Sequence, residues 1–132
     1  AIADDSGLCV DALGGAPGIY SARYADGTDL GNNQKLLREM TAVPDGQRQA
    51  RFICAVACVL PDGREFTVQG ECEGEILRQL YGTGGFGYDP LFYVSTYDCT
   101  FGQLPQQIKN TISHRAKAFA AFAETLKSYI QE

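Results

Sequence analysis

Apolar positions fall along this chain in two rhythms, one of period two and one close to 3.6, separated by clusters of glycine and proline. The period-two signal is clearest from Glu65 to Ile76. Phe66, Val68, Gly70, Cys72, Gly74 and Ile76 share one side, and Glu65, Thr67, Gln69, Glu71, Glu73 and Glu75 share the other. That alternation predicts a half-exposed antiparallel strand. The run from Ala50 to Leu60 is almost wholly apolar and predicts a strand buried on both faces. Pro61-Asp62-Gly63 between the two is a hairpin signal. Ala1-Ile2-Ala3 reads as the end of a strand, Leu8-Cys9-Val10 as a resumed extended run, and Leu91-Phe92-Tyr93-Val94 as a short strand.

The longer period appears twice. Thr28 to about Ala42 predicts a helix, with Thr28 as its N-cap and Leu30, Leu36, Leu37 and Met40 as its apolar stripe. It reads as purely structural, and Val43-Pro44-Asp45-Gly46 ends it. The last segment predicts a second helix, capped by Ser113 or Thr111, whose stripe is Phe119, Phe122, Ala123, Leu126 and Ile130. A helical turn over 100–104 and a further start at Pro105 complete the pattern.

Composition narrows the classes. A chain of 132 residues with 45% hydrophobic content suits one folded domain, 1–132. No run approaches the roughly 20 apolar residues of a membrane span, and no signal peptide is visible. A net charge of −5 without a Lys/Arg block argues against a duplex nucleic-acid partner. The five cysteines form no CxxC pair. Cys54 and Cys58 lie about 13 Å apart if they share a strand, too far for a disulfide or one metal ion. Reduced core cysteines point to a cytoplasmic protein.

Three stretches carry candidate chemistry. Asp4-Asp5-Ser6-Gly7 follows an apparent strand end, where α/β proteins place reactive groups; it also suits a polar turn. Neighbouring strand residues face opposite ways, so Asp4 and Asp5 share one metal only if the strand has ended. Gly82, Gly84 and Gly87 formally satisfy GxGxxG, but Asp89-Pro90 does not open a helix, so a dinucleotide site is rejected. Phe86 and Tyr88 offer stacking faces there and Asp89 an acceptor for ring N–H groups; the same residues suit a loop packed by its aromatics. Lys109, His114 and Arg115 cluster at the start of the last helix, where anions and electronegative oxygens are favoured and cations are not. Arg23, between Tyr20 and Tyr24, suits a phosphate contact, a tie between loops or a surface position. The glutamate row of 65–75 reads as a solvated face.

Taken in order, ADDSGLCVDALGGAPGIYSARYA, the central hairpin, GTGGFGYDPLF and KNTISHRAKA closely resemble the inosine-triphosphate pyrophosphatase family. The resemblance covers essentially the whole chain, as the C-terminal two-thirds of the family domain. It implies an α/β fold with a mixed central β-sheet flanked by helices. It also implies Mg²⁺-dependent hydrolysis of ITP, dITP or XTP to the monophosphate and pyrophosphate; a homodimer is expected separately, because a sheet without the family's first strand exposes an edge and apolar surface. Under it, Asp5 matches the metal-binding acidic residue and proton acceptor, with Asp4 a second candidate ligand, and Ser6 matches a substrate contact. Phe86, Gly87, Tyr88 and Asp89 match the base-binding loop, and Lys109 a substrate-binding lysine. His114 and Arg115 match the groups that read the purine 6-oxo oxygen. Family members also carry an upstream phosphate-binding loop and a metal-binding glutamate, which these 132 residues do not include. The alternative expectation is therefore an N-terminally truncated, catalytically impaired relative that binds purine nucleotide or only self-associates.

Overall fold

The structure, a computed structural model, describes residues 1–130. Five antiparallel strands form one sheet in the order β1 (Ile2–Val10), β2 (Gln49–Val59), β3 (Glu65–Ile76), β4 (Phe92–Val94) and β5 (Cys99–Thr100). Three α-helices among the described residues accompany it: α1 (Asp29–Glu39), α2 (Gln106–Ile112) and α3 (His114–Ile130). The expected α/β class holds, and every pairing among the described strands is antiparallel. The hairpin forms at Pro61-Asp62-Gly63, and the alternation of β3 is as predicted. All five cysteines are free.

The sheet has one packed face. Leu8 pairs with Phe52 and Phe52 with Cys72; Ser6 pairs with Cys54 and Cys54 with Gly70. These rows of even-numbered residues face the core, where α1 contributes Leu36 and Met40 and α3 contributes Ala118. The double burial expected of β2 is therefore wrong. Its exposure alternates, with Ala50, Phe52, Cys54, Val56 and Cys58 buried while Ala57 and Val59 are exposed. The outer face of β2 is apolar without being buried, because its small or branched residues mimic core.

The stretch Asp4-Asp5-Ser6-Gly7 also departs from expectation. It lies inside β1 and pairs residue by residue with Cys54 to Val56 and Ile53, so the strand has not ended there. Ladder hydrogen bonds outweigh the turn preference of two aspartates and a glycine.

The helix stripes shift too. Thr28 caps α1 as predicted, accepting from the Gly31 N–H at 3.0 Å, but Leu30 is exposed. In α3, Ala118 is buried and Phe122 packs beside it, whereas Phe119 and Ile130 are exposed. Small residues decided this contact. A Cβ at Gly70 would strike the Ala118 nitrogen and the His114 carbonyl oxygen, so only glycine admits α3 this close to β3. Ser113 starts the helix as foreseen, accepting from the Ala116 N–H at 3.1 Å.

One buried arginine fixes α1 against the sheet. Arg48 donates to the carbonyls of Met40 (2.7 Å), Val43 (3.0 Å), Ile76 (2.7 Å) and Leu77 (3.2 Å). Burial lowers its pKa, yet a guanidinium keeps its proton under these conditions. Its fork therefore neutralises the carbonyl end of α1 and ties that end to the end of β3.

Candidate functional site

The even face of β1, the loop before β4 and the α2–α3 junction enclose a cavity of about 290 Å³. Its lining includes Ser6, Phe86, Gly87, Tyr88, Asp89, Lys109, His114 and Arg115. Eight residues singled out from three distant stretches thus meet around one space. Asp4 stands beside it, its Oδ2 bonded to Arg115 Nη2 at 3.0 Å. Asp5 does not line the cavity. Strand alternation sends its side chain to the other face from Ser6.

The aromatic loop is tied from every side. The buried Asp89 carboxylate pairs with the buried Lys109 ammonium and accepts the Phe86 N–H at 3.0 Å. A Cβ on Gly85, whose φ is +73°, would collide with that carboxylate. Asp89 is thus already engaged as a loop anchor. Tyr88 is buried and donates its hydroxyl to the Ser21 carbonyl at 2.7 Å; burial raises its pKa. Phe86 turns outward, 69% exposed, with the Lys109 ammonium 4.7 Å from its ring centroid. An exposed, backed aromatic ring is a stacking surface.

The other wall is built on Phe52, which stacks on the His114 ring at 4.8 Å and 18°. Burial, then the charges of Lys109 and Arg115, lowers the His114 pKa to about 4. The imidazole is neutral near pH 7, so Lys109 and Arg115 are the cations of the expected cluster and His114 enters it as a donor group. His114 Nδ1 is buried without a hydrogen-bond partner, and a neutral imidazole offers one donor and one acceptor.

As for a metal, among the described residues no group of three or more His, Cys, Asp or Glu is placed to hold one. Asp4 is occupied by Arg115, whereas Asp5 is exposed and forms no ion pair among the described residues. Mg²⁺ accepts one or two carboxylates completed by substrate phosphates and water. The fit offered here is one carboxylate, that of Asp5, and not a cage.

The Ham1 family model ("Ham1p_like") matches residues 1–125. The chain belongs to the Ham1 family. It is 55% identical over 135 residues to the dITP/XTP pyrophosphatase of Desulforamulus reducens, covering 100% of this chain and 67% of that relative. It is 51% identical over 133 residues to the dITP/XTP pyrophosphatase of Clostridium tetani, covering 99% and 65%. The structure of the Staphylococcus aureus Ham1 protein superposes with a TM-score of 0.92 at 43% identity, over 97% of this chain and 67% of that one. The chain thus spans about two thirds of the length of the relatives it matches.

Within this Ham1 fold, some lining residues had no part in the sequence reading. Asp29 and Asn32 of α1, with Ser21, line the same cavity. The signal available was two adjacent asparagines, Asn32 and Asn33, in a helix interior, where that residue type is disfavoured unless its amide is used. Both are buried. Arg23 is exposed and pairs with no described residue.

Proposed function

We propose that this chain hydrolyses non-canonical purine nucleoside triphosphates, ITP, dITP and XTP, to the monophosphate and pyrophosphate. The observation that carries the reading is the exposed Phe86 ring, held against Lys109 and lining one cavity with His114 and Arg115, in a chain whose relatives bear the name dITP/XTP pyrophosphatase. The purine stacks on Phe86. Arg115 N–H groups, with His114, donate to the 6-oxo oxygen. Adenine presents a donor at that position and would leave those groups unpaired, a penalty that discriminates strongly. Lys109 supplies positive charge under the ring, and Ser6 a hydroxyl for the phosphates.

The reaction adds one water across the α–β anhydride. The water oxygen bonds to phosphorus, the anhydride P–O bond breaks, and the oxygen leaves with pyrophosphate. Asp5 lies outside the purine cavity, and on the family resemblance we assign it as acceptor of the water's proton and as the carboxylate that would hold Mg²⁺ beside that cavity. When bound, that ion neutralises phosphate charge. Pyrophosphate release from ITP and from ATP in Mg²⁺ tests this. ITP should be cleaved far faster than ATP, and Asp5→Asn should lower the rate by about 10²–10⁴-fold. No release from ITP by pure protein sinks the hydrolytic reading.

A second reading is purine-nucleotide binding without hydrolysis. It is favoured by the contrast between a completed aromatic pocket and a single free carboxylate. Calorimetry with inosine monophosphate separates the two, since binding without pyrophosphate release selects the second. We further infer a cytoplasmic homodimer. Five free thiols suit a reducing compartment. The outer face of β2 exposes Ala57 and Val59, and the 18–23 turn exposes Ile19 and Tyr20. Among the described residues no helix is long and apolar enough to cross a membrane. Sedimentation that shows a monomer at every concentration counts against the dimer.

A further inference from the structure

Helix α1 reaches the purine loop at a point the stacking chemistry alone does not require. Asp29 Oδ2 accepts the Gly87 N–H at 2.9 Å, and Asn33 Nδ2 donates to the Gly87 carbonyl at 2.9 Å. The residue after Phe86 is thus held at both its donor and its acceptor. The Phe86 N–H is held in turn by Asp89 at 3.0 Å. With the peptide groups on both sides of its Cα fixed, Phe86 has little freedom left in the direction of its Cβ.

The same helix grips the opposite wall. Asn32 donates to the Ala22 carbonyl at 3.0 Å and accepts the Ala25 N–H at 2.8 Å. Ser21 directly precedes that segment, and its hydroxyl accepts the Leu8 N–H of β1 at 2.9 Å. Three neighbouring residues of one helix therefore reference the Phe86 loop and the strand that carries Ser6 to a common body. Arg48 locks the far end of that body to the sheet.

We propose that Asp29 and Asn33 are positioning residues, which set where the Phe86 ring stands above the cavity and hence how tightly a purine is held. The proposal rests on the purine reading of the pocket. These bonds order a ring that is 69% exposed and adds almost nothing to the core.

The test uses the exposed Asp29, so that folding is not at issue. Calorimetry with inosine monophosphate should show about tenfold weaker binding for Asp29→Ala, the loss of a charge-assisted hydrogen bond. Asp29→Asn keeps an acceptor and should restore affinity to within about threefold of wild type. In a Phe86→Ala background, Asp29→Ala should have no further effect, because there is no ring left to place. Unchanged affinity in Asp29→Ala, or an equal loss with and without Phe86, overturns the proposal. Amide exchange of the ligand-free protein gives a second readout, in which Gly87 should exchange faster in Asp29→Ala. If wild type binds no inosine monophosphate, the purine reading fails on its own. The clamp then stands if Gly87 exchange rises and the Phe86 ring resonances move, and falls if neither changes.

Discussion

Phe86 and Asp5 are both exposed, yet the chain treats them in opposite ways. Around Phe86, Asp89, Asp29 and Asn33 fix the backbone, and Lys109 backs the ring. Asp5 has its strand pairing with Ala55 and no side-chain partner among the described residues. Stacking depends on the orientation of a plane, so a stacking ring has to be held. A carboxylate awaiting a cation is served by being left free, since any internal partner would compete. The cavity with its stacking ring and the carboxylate outside it thus differ in what they ask of the fold.

The largest expected effect tests the held half. In Lys109→Met the Asp89 carboxylate remains buried without its cation. Removing one partner of such a pair costs about 3–5 kcal/mol, while Asp5→Asn at an exposed position should stay within about 0.5 kcal/mol. Urea denaturation of the two variants measures the contrast. A cost below about 1 kcal/mol for Lys109→Met would show that the loop is not anchored through this pair.

Phe86→Ala separates ordering from stability. The exposed ring contributes little burial, so unfolding should shift by no more than about 0.5 kcal/mol. Nucleotide binding should weaken by about 1–3 kcal/mol, the typical worth of a base–aromatic stack. Calorimetry and thermal melts on one sample read both. A large stability loss with unchanged binding reverses the assignment and makes the loop a packing element.

Sequence period and motif made most of this visible, and the failures have a common cause. The hairpin, the alternation of β3, the Thr28 and Ser113 caps and the gathering of the three motifs are local signals that the fold respects. The errors at β2, Leu30 and Phe119 arose where apolar character was taken as burial. Contact there is decided by small residues, as at Gly70 and Ala118, which no hydrophobicity count registers. The turn read at Asp4–Gly7 failed because strand pairing with residues fifty positions away overrode local preference. Asp29, Asn33 and Arg48 escaped because their roles are bonds to backbone groups distant in sequence.

His114 belongs to the held half, and its burial there lowers its pKa. Its folded pKa of about 4 lies below the ordinary 6.5, so the unfolded chain takes the proton first as pH falls. The stability this group contributes is complete above about pH 6.5 and is lost on going down towards 4. Wild type should lose melting temperature more steeply across that window than His114→Gln, with the difference in slope isolating this residue from the carboxylates. Equal slopes would mean that water reaches the imidazole.

The smallest effect is expected at Asp4, where the two halves touch. Its bond to Arg115 joins the first part of β1 to the start of α3, but the two side chains are 34% and 58% exposed. Pairs of that kind are worth about 0–1 kcal/mol and fade with salt. Asp4→Ala should therefore leave stability nearly unchanged and abolish whatever salt dependence the pair contributes. Its sharper consequence concerns Arg115, which loses a competitor for its donors. If Arg115 reads the 6-oxo oxygen, Asp4→Ala should hold or strengthen inosine monophosphate binding, by no more than about the worth of the pair, while Arg115→Ala weakens it. A loss of binding in Asp4→Ala as large as in Arg115→Ala would show that Asp4 orients the guanidinium. The free half of the site would then be held after all, through Asp4 and not through Asp5.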